Sequence, residues 1–329
     1  MGGGPSTPEL VAAVSNAGGL GTLAAAYLTP EQIEAEVRRT RQLTNRPFGI
    51  NLFSAGYEKK EHGDPSPMLR MLAEAHQALG IAAPVLPEHP ANPFPDQFQA
   101  VIEAHPRVFS FTFGTLDRVA ANELRAIGTL VFGTATTVRE AQILENDVDA
   151  IIAQGSEAGA HRGTFADAFE DAMVPTLQLV REIKQATSCP VIASGGIMDG
   201  RDIAAALEAG AAAVQMGTAF LACPESGASA AYKQALLSAK QDTTVITRAY
   251  SGRPARGLRN EFIEKLEGKE EAILPYPLQN ALTRPMRTAA SKQGHAGFLS
   301  LWAGQGVTRI RPMPAGELVQ TLVREMETQ

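Results

Sequence analysis

Seven short apolar runs, each followed by a polar or helical segment, constrain the fold of this chain more than any other feature. Most of the runs are apolar at nearly every position, which is typical of parallel strands buried on both faces. Repeated alternation of strand and helix predicts βαβ units and a parallel sheet. The runs cover residues 19–23, 47–53, 107–113, 129–135, 148–154, 190–195 and 212–218.

The helices between these runs carry start and stop signals. Thr29 and Pro30 predict an N-cap and a first turn, and Asp199 and Gly210 predict the start and the end of another helix. A further helix is expected to begin near the N-terminus, because Ser6-Thr7-Pro8-Glu9 is a helix-start signal with Ser6 or Thr7 as the cap.

The number of strands favours an α/β fold of the TIM (β/α)8 barrel type in which most of the first strand is absent. A barrel needs eight parallel strands, and only Met1-Gly2-Gly3-Gly4 precedes the first helix. We therefore expect Met1 to lie where the first strand would end, and a start codon assigned too far downstream or a trimmed sequence would explain this. An open, doubly wound sheet of seven strands is the alternative.

The alternation stops after Phe220, which predicts a second unit late in the chain. Residues 1–223 are expected to form the barrel, and residues 224–304 an inserted, mostly helical, smaller domain. Residues 305–329 are expected to return to the barrel through a final helix.

Composition excludes several classes of protein. The net charge of -6 argues against a generic nucleic-acid binder, and no apolar stretch approaches the roughly 20 residues that a membrane helix needs. Cys189 and Cys223 form no CxxC pair, and the histidines show no metal-binding spacing, so we expect neither a disulfide framework nor a metal site. The N-terminus lacks the features of a signal peptide, which makes a cytoplasmic protein the default expectation.

Glycines at the ends of the last two apolar runs indicate a phosphate site. Gly195 and Gly196 follow one run, and Gln215-Met216-Gly217-Thr218 closes the next. Parallel barrels bind phosphates after strands seven and eight, where glycine lets backbone N–H groups approach the ligand. Tight turns that need a positive φ are the alternative interpretation.

His161 follows the run that ends at Gln154, after the small residues Gly155 and Gly159. The absence of bulk leaves room for a ligand at the strand end, and a histidine there suits proton transfer near neutral pH. A structural histidine that caps the loop is equally compatible. Asn51 and Gln154 are polar residues in or at the ends of buried strands, where they need either backbone partners or the polar edge of a planar heterocycle.

Residues 248–260 carry four arginines. A solvated loop with ion pairs is the ordinary interpretation, and an arginine that binds an acidic substrate or a cofactor phosphate is the alternative.

Six segments together resemble the class I nitronate monooxygenases, formerly named 2-nitropropane dioxygenases. The similarity covers nearly the whole chain, although the first strand of the family is represented only by its last residues. The wider flavin-barrel superfamily also contains FMN-dependent enoyl-acyl-carrier-protein reductases and NADH:quinone reductases. The segments are SNAGGLGTLAAAYLTPEQ (15–32), RPFGINLF (46–53), QGSEAGAHRG (154–163), IASGGIMDGRDIAAALEAGAAAVQMGTAFLACPES (192–226), SGRPARG (251–257) and LWAGQG (301–306).

The resemblance implies a TIM barrel that binds FMN without a covalent bond. Asn51 and Gln154 would contact the flavin ring or the ribityl chain, and Gly159 would approach it by its backbone. His161 matches the active-site histidine of the family, although Ala160 stands where many relatives have a glycine. The remaining cofactor-binding positions carried over from the family are Met1, Gly195, Gly196, Gln215, Met216, Gly217 and Thr218.

The resemblance also implies the chemistry, which is oxidative denitrification of an alkyl nitronate such as propionate 3-nitronate. The nitronate and O2 would give a carbonyl compound and nitrite without NAD(P)H, in a monomer or a homodimer. His161 would act as a base only towards a neutral nitroalkane. The substrate would be bound by an arginine of 248–260, by Tyr232, by Tyr276 or by Lys292. The alternatives are an FMN-dependent NAD(P)H reductase and a truncated barrel that binds FMN weakly or not at all.

Overall fold

The computed structural model describes residues 1–328 and contains ten strands in this range. The seven predicted runs are confirmed as strands, and each differs from its expected bounds by at most a few residues. The strands are β1 Gly21–Ala24, β2 Phe48–Phe53, β3 Val108–Thr112, β4 Leu130–Ala135, β5 Ala150–Gln154, β6 Ala160–His161, β7 Val191–Ser194, β8 Ala213–Gln215, β9 Thr244–Thr247 and β10 Ala255–Leu258.

The main sheet has seven parallel strands in the order β1-β2-β3-β4-β5-β7-β8. Strand order follows chain order throughout, which excludes the doubly wound alternative because that topology needs a reversal of strand order. The curled sheet is therefore of the TIM-barrel type, and β1 and β8 are its edges within residues 1–328. Met1 lies at the carboxyl end of β8, since a methyl group at Gly217 would be 3.5 Å from its Cγ.

Twelve α-helices and four short 3-10 helices accompany the strands in residues 1–328. The α-helices are α1 Pro8–Asn16, α2 Pro30–Leu43, α3 Ser66–Ala78, α4 Phe94–Ala104, α5 Arg118–Ala126, α6 Val138–Leu144, α7 Thr176–Ala186, α8 Gly200–Glu208, α9 Ala230–Leu237, α10 Glu261–Leu266, α11 Leu278–Gln293 and α12 Ala315–Glu327. The 3-10 helices are Thr218–Phe220, Glu270–Ala272, Ala296–Phe298 and Gln305–Arg309.

The predicted helix signals are confirmed. Thr7 caps α1 by accepting the Leu10 N–H at 3.1 Å, which decides between the two candidate caps. Thr29 forms a capping box with Gln32 at the start of α2. Asp199 caps α8, and Gly210 follows that helix with a φ of +105°.

The main hydrophobic core lies between one face of the curled sheet and the surrounding helices, and a small separate cluster of Phe132, Ala150, Ile152 and Ile192 lies on the other face. Buried residues at 0% exposure include Ile50, Phe109 and Ile151 from three different strands. The predicted final helix, α12, joins this core through Leu318 and Leu322. Leu318 and Leu322 thus pack in the same core as the strands of the main sheet, and the assignment of residues 305–329 to the barrel stays a prediction.

A second core lies among α9, α10 and α11, and Phe262 and Phe298 are at its centre. Met68 and Leu72 of α3 also pack into it, although they precede the predicted domain by more than a hundred positions. The bounds of the inserted domain stay a prediction.

This second region also contains a three-stranded antiparallel sheet in the order β6-β10-β9, which the sequence did not indicate. In this sheet His161 pairs with Ala255. No helix in residues 1–328 is both long and apolar enough to cross a membrane.

Candidate active site

The carboxyl ends of the parallel strands bring most of the predicted site residues to one edge of the sheet. Gln154 is in register with Ser194 at the ends of β5 and β7, and Ser194 is in register with Gln215 at the end of β8. Asn51 lies on β2 in register with Ser110. Active sites of parallel barrels are formed at this edge.

The loops after β7 and β8 form a cradle of backbone N–H groups, defined here as the phosphate cradle: Gly195, Gly196, Gly217 and Thr218. Gly195 and Gly196 have φ values of +126° and +72°, a region that glycine adopts readily. The N–H groups of Gly195, Gly196 and Gly217 donate to no acceptor within residues 1–328. Free N–H groups converging at strand ends suit an anion.

The cradle is held in place by its neighbours. The Thr176 hydroxyl donates to the carbonyl oxygen of Gly195 at 3.0 Å. The Thr218 hydroxyl accepts the Gly304 N–H at 2.9 Å and keeps its own hydrogen for another acceptor. The residues present therefore fit the phosphate group of a flavin mononucleotide. Gln215 is exposed and Met216 is half-buried beside the cradle.

Gly159 lies against the segment 303–306. A methyl group there would be 2.6 Å from the carbonyl carbon of Ala303 and from the nitrogen of Gly304. Nearby, the Gln305 N–H donates to the Glu157 carbonyl oxygen at 3.0 Å. The glycine is thus needed for the close approach of two loops, a reason that its sequence position alone did not reveal.

Gln154 and Asn51 differ in how much of their amide is already used. Gln154 donates to the His161 carbonyl oxygen at 3.0 Å and accepts the Gly163 N–H at 2.8 Å, so both ends of its amide fix the turn that carries His161. Asn51 donates to the Ser110 hydroxyl at 2.9 Å, and its Oδ1 accepts no hydrogen bond within residues 1–328. Asn51 therefore retains an acceptor for a ligand.

Arg162 also fixes the turn that carries His161. Its guanidinium is 1% exposed and donates to the carbonyl oxygens of Gln154 at 2.9 Å and Ala172 at 3.0 Å, and also to that of Gly155. Burial lowers the pKa of Arg162 to about 10, which still leaves it charged at neutral pH. A buried cation that donates to three carbonyl groups thus anchors the residue next to His161, although its Nε has no partner within residues 1–328.

His161 projects into a space lined by aromatic rings. Its ring centroid lies 6.2 Å from Phe53, 5.8 Å from Phe113, 6.1 Å from Tyr276 and 5.6 Å from Trp302. Its Nε2 is buried and has no hydrogen-bond partner within residues 1–328. A buried polar atom without a partner is costly, which indicates that a ligand supplies the missing contact.

The charge state of His161 follows from its surroundings. Burial, and to a smaller extent the guanidinium charges of Arg253 and Arg287, together lower its pKa to about 3. The ring is therefore neutral at physiological pH and offers one N–H donor and one acceptor nitrogen.

Arg253 is the member of the arginine-rich run that reaches the site. Its guanidinium lies 3.7 Å from the ring centroid of Phe113 and donates to the Thr164 carbonyl oxygen. Burial lowers the pKa of Arg253 to about 10. By contrast, Arg259 forms an ion pair with Glu267 on the surface, as the solvated-loop interpretation expects.

Arg287, on α11, is the second buried cation near His161. Its Nη2 donates to the carbonyl oxygen and to the side-chain oxygen of Asn280 at 2.7 and 2.9 Å, while its Nε is buried without a partner. Within residues 1–328, neither Arg253 nor Arg287 forms an ion pair with a carboxylate. Two partly buried cations without an ion-pair partner favour an anionic ligand, and only Arg253 is also influenced by the more distant carboxylates of Glu140 and Glu58.

Tyr276 completes this side of the site. Its hydroxyl is buried without a well-formed hydrogen bond, close to the hydroxyls of Tyr27 and Tyr57, and burial raises its pKa. The other two candidate readers of the substrate are placed differently. Tyr232 donates to the Trp302 carbonyl oxygen at 2.6 Å, and Lys292 is exposed in the last turn of α11.

We define His161, Arg253, Tyr276 and Arg287 as the pocket wall. Sequence reasoning did not select Arg287. Thr283 lies four residues before it and Ala290 three residues after it, and both are 0% exposed. An arginine on the buried face of a helix is a sequence signal that could have indicated a functional residue. The aromatic residues Tyr27, Phe53, Phe113 and Trp302 were also not selected, because apolar residues near strand ends look like core.

No group of three or more His, Cys, Asp or Glu side chains in the described part of the chain is arranged to hold a metal ion. Cys189 and Cys223 are both buried free thiols.

Comparison with known proteins places this geometry in context. The family model described as nitronate monooxygenase matches residues 1–325. A nitronate monooxygenase of Pseudomonas aeruginosa is 43% identical over 98% of this chain and 93% of its own length. A probable nitronate monooxygenase of Staphylococcus saprophyticus is 40% identical over 98% of this chain and 92% of its own length.

Solved structures give the same picture. A crystal structure of nitroalkane oxidase from Streptomyces ansochromogenes superposes with a TM-score of 0.93 at 42% identity, over 100% of this chain and 94% of that one. FabK from Thermotoga maritima superposes with a TM-score of 0.75 at 30% identity, over 100% of this chain and 91% of that one.

Proposed function

This chain belongs to the nitronate monooxygenase family of flavin-dependent oxidoreductases, and on that premise we propose that its cofactor is FMN and its substrates are alkyl nitronates and O2. The products would be a carbonyl compound and nitrite. The observation that carries the proposal is the pocket wall, in which a neutral histidine lies within the electrostatic influence of two partly buried arginines that form no ion pair with a carboxylate within residues 1–328.

The phosphate cradle would hold the phosphate of FMN, and Asn51 would offer its free Oδ1 to the cofactor. When bound, FMN supplies the electron acceptor for the oxidation. Gln154 and Arg162 have a supporting role, because their hydrogen bonds fix the turn that carries His161.

The charge of the pocket wall favours a nitronate over a neutral nitroalkane. A nitronate has already lost its α-proton and is an anion, so it needs positioning rather than a base. His161, with a pKa near 3, is a weak base at neutral pH but remains able to donate a hydrogen bond to a nitro oxygen. The guanidinium group of Arg253 would compensate the charge of the nitronate group.

Propionate 3-nitronate, the characteristic substrate implied by the family, is our proposed substrate. It carries a carboxylate as well as the nitronate, which matches the presence of two buried cations. A nicotinamide-dependent reductase is the second candidate, favoured by the similarity to FabK, which is the weaker of the two structural matches.

Anaerobic visible spectroscopy separates these functions. We expect the purified protein to show an oxidised-flavin spectrum that changes to that of one-electron-reduced flavin when propionate 3-nitronate is added. Addition of NADH or NADPH in a parallel cuvette is the control, and we expect no bleaching there. Bleaching by a nicotinamide together with no response to the nitronate would instead establish the reductase. Release of the flavin as FMN, identified by mass, tests the cofactor.

A further inference from the structure

We propose that Arg287 is a specificity-determining residue that binds a second anionic group of the nitronate, and that Asn280 positions its guanidinium. This inference rests on the proposed function and adds which side chain selects the substrate. The chemical class it predicts is a nitronate with a carboxylate at the far end of a short carbon chain.

The place of Arg287 in its helix is unusual for an arginine. Thr283, Met286 and Ala290 surround it along α11, and all three are 0% exposed. Long charged side chains seldom face a core unless they are paired. Arg287 has no carboxylate partner within residues 1–328, so packing alone gives no reason for its charge.

The hydrogen bonds of Arg287 fix the position of its guanidinium and leave other N–H donors of the group free. Both bonds to Asn280 come from the single nitrogen Nη2, at 2.7 and 2.9 Å. The buried Nε donates to nothing within residues 1–328. A guanidinium has five N–H donors, and Nε takes part in bidentate contacts with carboxylates. The geometry thus presents a preorganised donor edge.

The charge balance indicates a second anionic group on the ligand. A simple nitronate brings one negative charge, whereas Arg253 and Arg287 bring two positive charges. Arg253 acts more strongly than Arg287 on the pKa of His161, which is consistent with Arg253 at the nitronate end. Arg287 would then face the tail of the substrate.

Steady-state kinetics with two nitronates of equal chain length test this assignment. Propionate 3-nitronate carries the carboxylate, and propyl 1-nitronate lacks it. We expect Arg287→Gln to lower kcat/KM for propionate 3-nitronate by about 100-fold, and that for propyl 1-nitronate by less than about threefold, since only one substrate loses a buried charged contact. Asn280→Ala should lower only the first value, by about tenfold.

Lys292→Gln is the matched control, because it removes a positive charge from the same helix at an exposed position. It should change neither value by more than about twofold. An equal loss for both nitronates in Arg287→Gln would show that Arg287 is structural. An unchanged preference for the carboxylate in that variant would also overturn the proposal.

Binding of unreactive nitro compounds gives a readout that does not depend on turnover. We expect calorimetry on the purified, cofactor-containing protein to show tighter binding of 3-nitropropionate than of 1-nitropropane, and this difference to disappear in Arg287→Gln. If neither nitronate were oxidised but this difference were found, the proposed function would fail and the role of Arg287 would stand. Equal or undetectable binding of both compounds to the unmodified protein would overturn the inference itself.

Discussion

The phosphate cradle and the pocket wall are two ends of one candidate site, but they are built from different chemical groups. The cradle presents backbone N–H groups from loops that directly follow two parallel strands. The pocket wall presents side chains from β6, from the β9–β10 connection and from α11 with the residues before it. The first end depends on backbone conformation and the second on residue identity.

On the proposed function, this difference would separate cofactor binding from substrate selection. We expect a side chain to change at Tyr276 or Arg287 without altering the loops after β7 and β8, because their neighbours in the chain, Leu278 and Met286, belong to the second core. Gly195 cannot gain a side chain without moving its neighbours and Gly196 is nearly as crowded, whereas a methyl group at Gly217 would meet only Met1, at 3.5 Å. We therefore expect the two ends to respond to substitution in different ways.

The largest effect is expected at the cradle. In Gly195→Ala, the new methyl group would lie 2.8 Å from the Thr176 hydroxyl oxygen and 2.9 Å from the Ala158 nitrogen, at a φ of +126°. Strain and overpacking together should lower the free energy of unfolding by about 3–5 kcal/mol. Loss of aligned N–H donors should weaken FMN binding by at least about 100-fold. Urea unfolding and titration of the apoprotein with FMN measure the two quantities.

Gly210→Ala is the control for backbone strain alone. Gly210 also has a positive φ, +105°, but it lies after α8, and its new methyl group would meet only the flexible Lys184 side chain at 3.2 Å. We expect a loss of about 1–2 kcal/mol in stability with FMN affinity unchanged. Equal FMN affinity in both variants would contradict the role given to the cradle.

The two ends also differ in how well the sequence predicts them. The cradle was predictable because Gly195, Gly196 and Gly217 stand next to recognisable strands, and the ends of parallel strands meet at one edge. The seven strands and the caps at Thr29 and Asp199 were predictable for a similar reason, since each signal is local.

The pocket wall was less predictable because it depends on contacts between distant segments. Pairing of β6 with β10 joins His161 to Ala255, and a two-residue strand leaves no periodic signal. Arg287 and Tyr276 reach His161 only through the packing of α11 and the residues before it. The sequence identified His161 from its place after the small residues that follow a strand, and Tyr276 only as one of several candidates once the resemblance was considered. It did not indicate the hydrogen bonds that fix the neighbouring turn.

A smaller loss of stability is expected when the pH is lowered, and it comes from His161 in the pocket wall. The pKa of His161 is about 3 in the folded protein, below the ordinary value of 6.5. Between these values the unfolded chain binds a proton that the folded protein does not, so stability falls as pH falls. The loss is about 1.4 kcal/mol per pH unit, or about 3 kcal/mol from pH 6.5 to pH 4.

Urea unfolding of the native protein and of His161→Phe at several pH values measures this contribution. In acid, unfolding of the native protein should take up about one proton more than unfolding of the variant, which appears as a steeper fall of stability with pH. At pH 8 His161 is neutral in both the folded and the unfolded protein, so stability at that pH is the reference. An acid slope that is identical in the two proteins would show that His161 is not held neutral by the pocket wall.

The smallest effect on stability is expected from removing a tyrosine hydroxyl. The same substitution in the pocket wall and in the second core allows the two regions to be compared. Tyr276 has a buried hydroxyl without a partner, whereas the Tyr250 hydroxyl donates to Asn260 Oδ1 at 2.9 Å. Tyr276→Phe should therefore change the free energy of unfolding by less than about 0.5 kcal/mol, and Tyr250→Phe should lower it by about 1 kcal/mol.

Activity should show the opposite order in these two variants. We expect Tyr276→Phe to raise the KM for propionate 3-nitronate by about tenfold, because a hydroxyl kept without a partner in the free protein is available to the anion. Tyr250→Phe should leave KM within about twofold, because its hydroxyl already has a partner. If Tyr276→Phe were the destabilising variant and left KM unchanged, its hydroxyl would belong to the core, and the pocket wall would end at His161 and the two arginines.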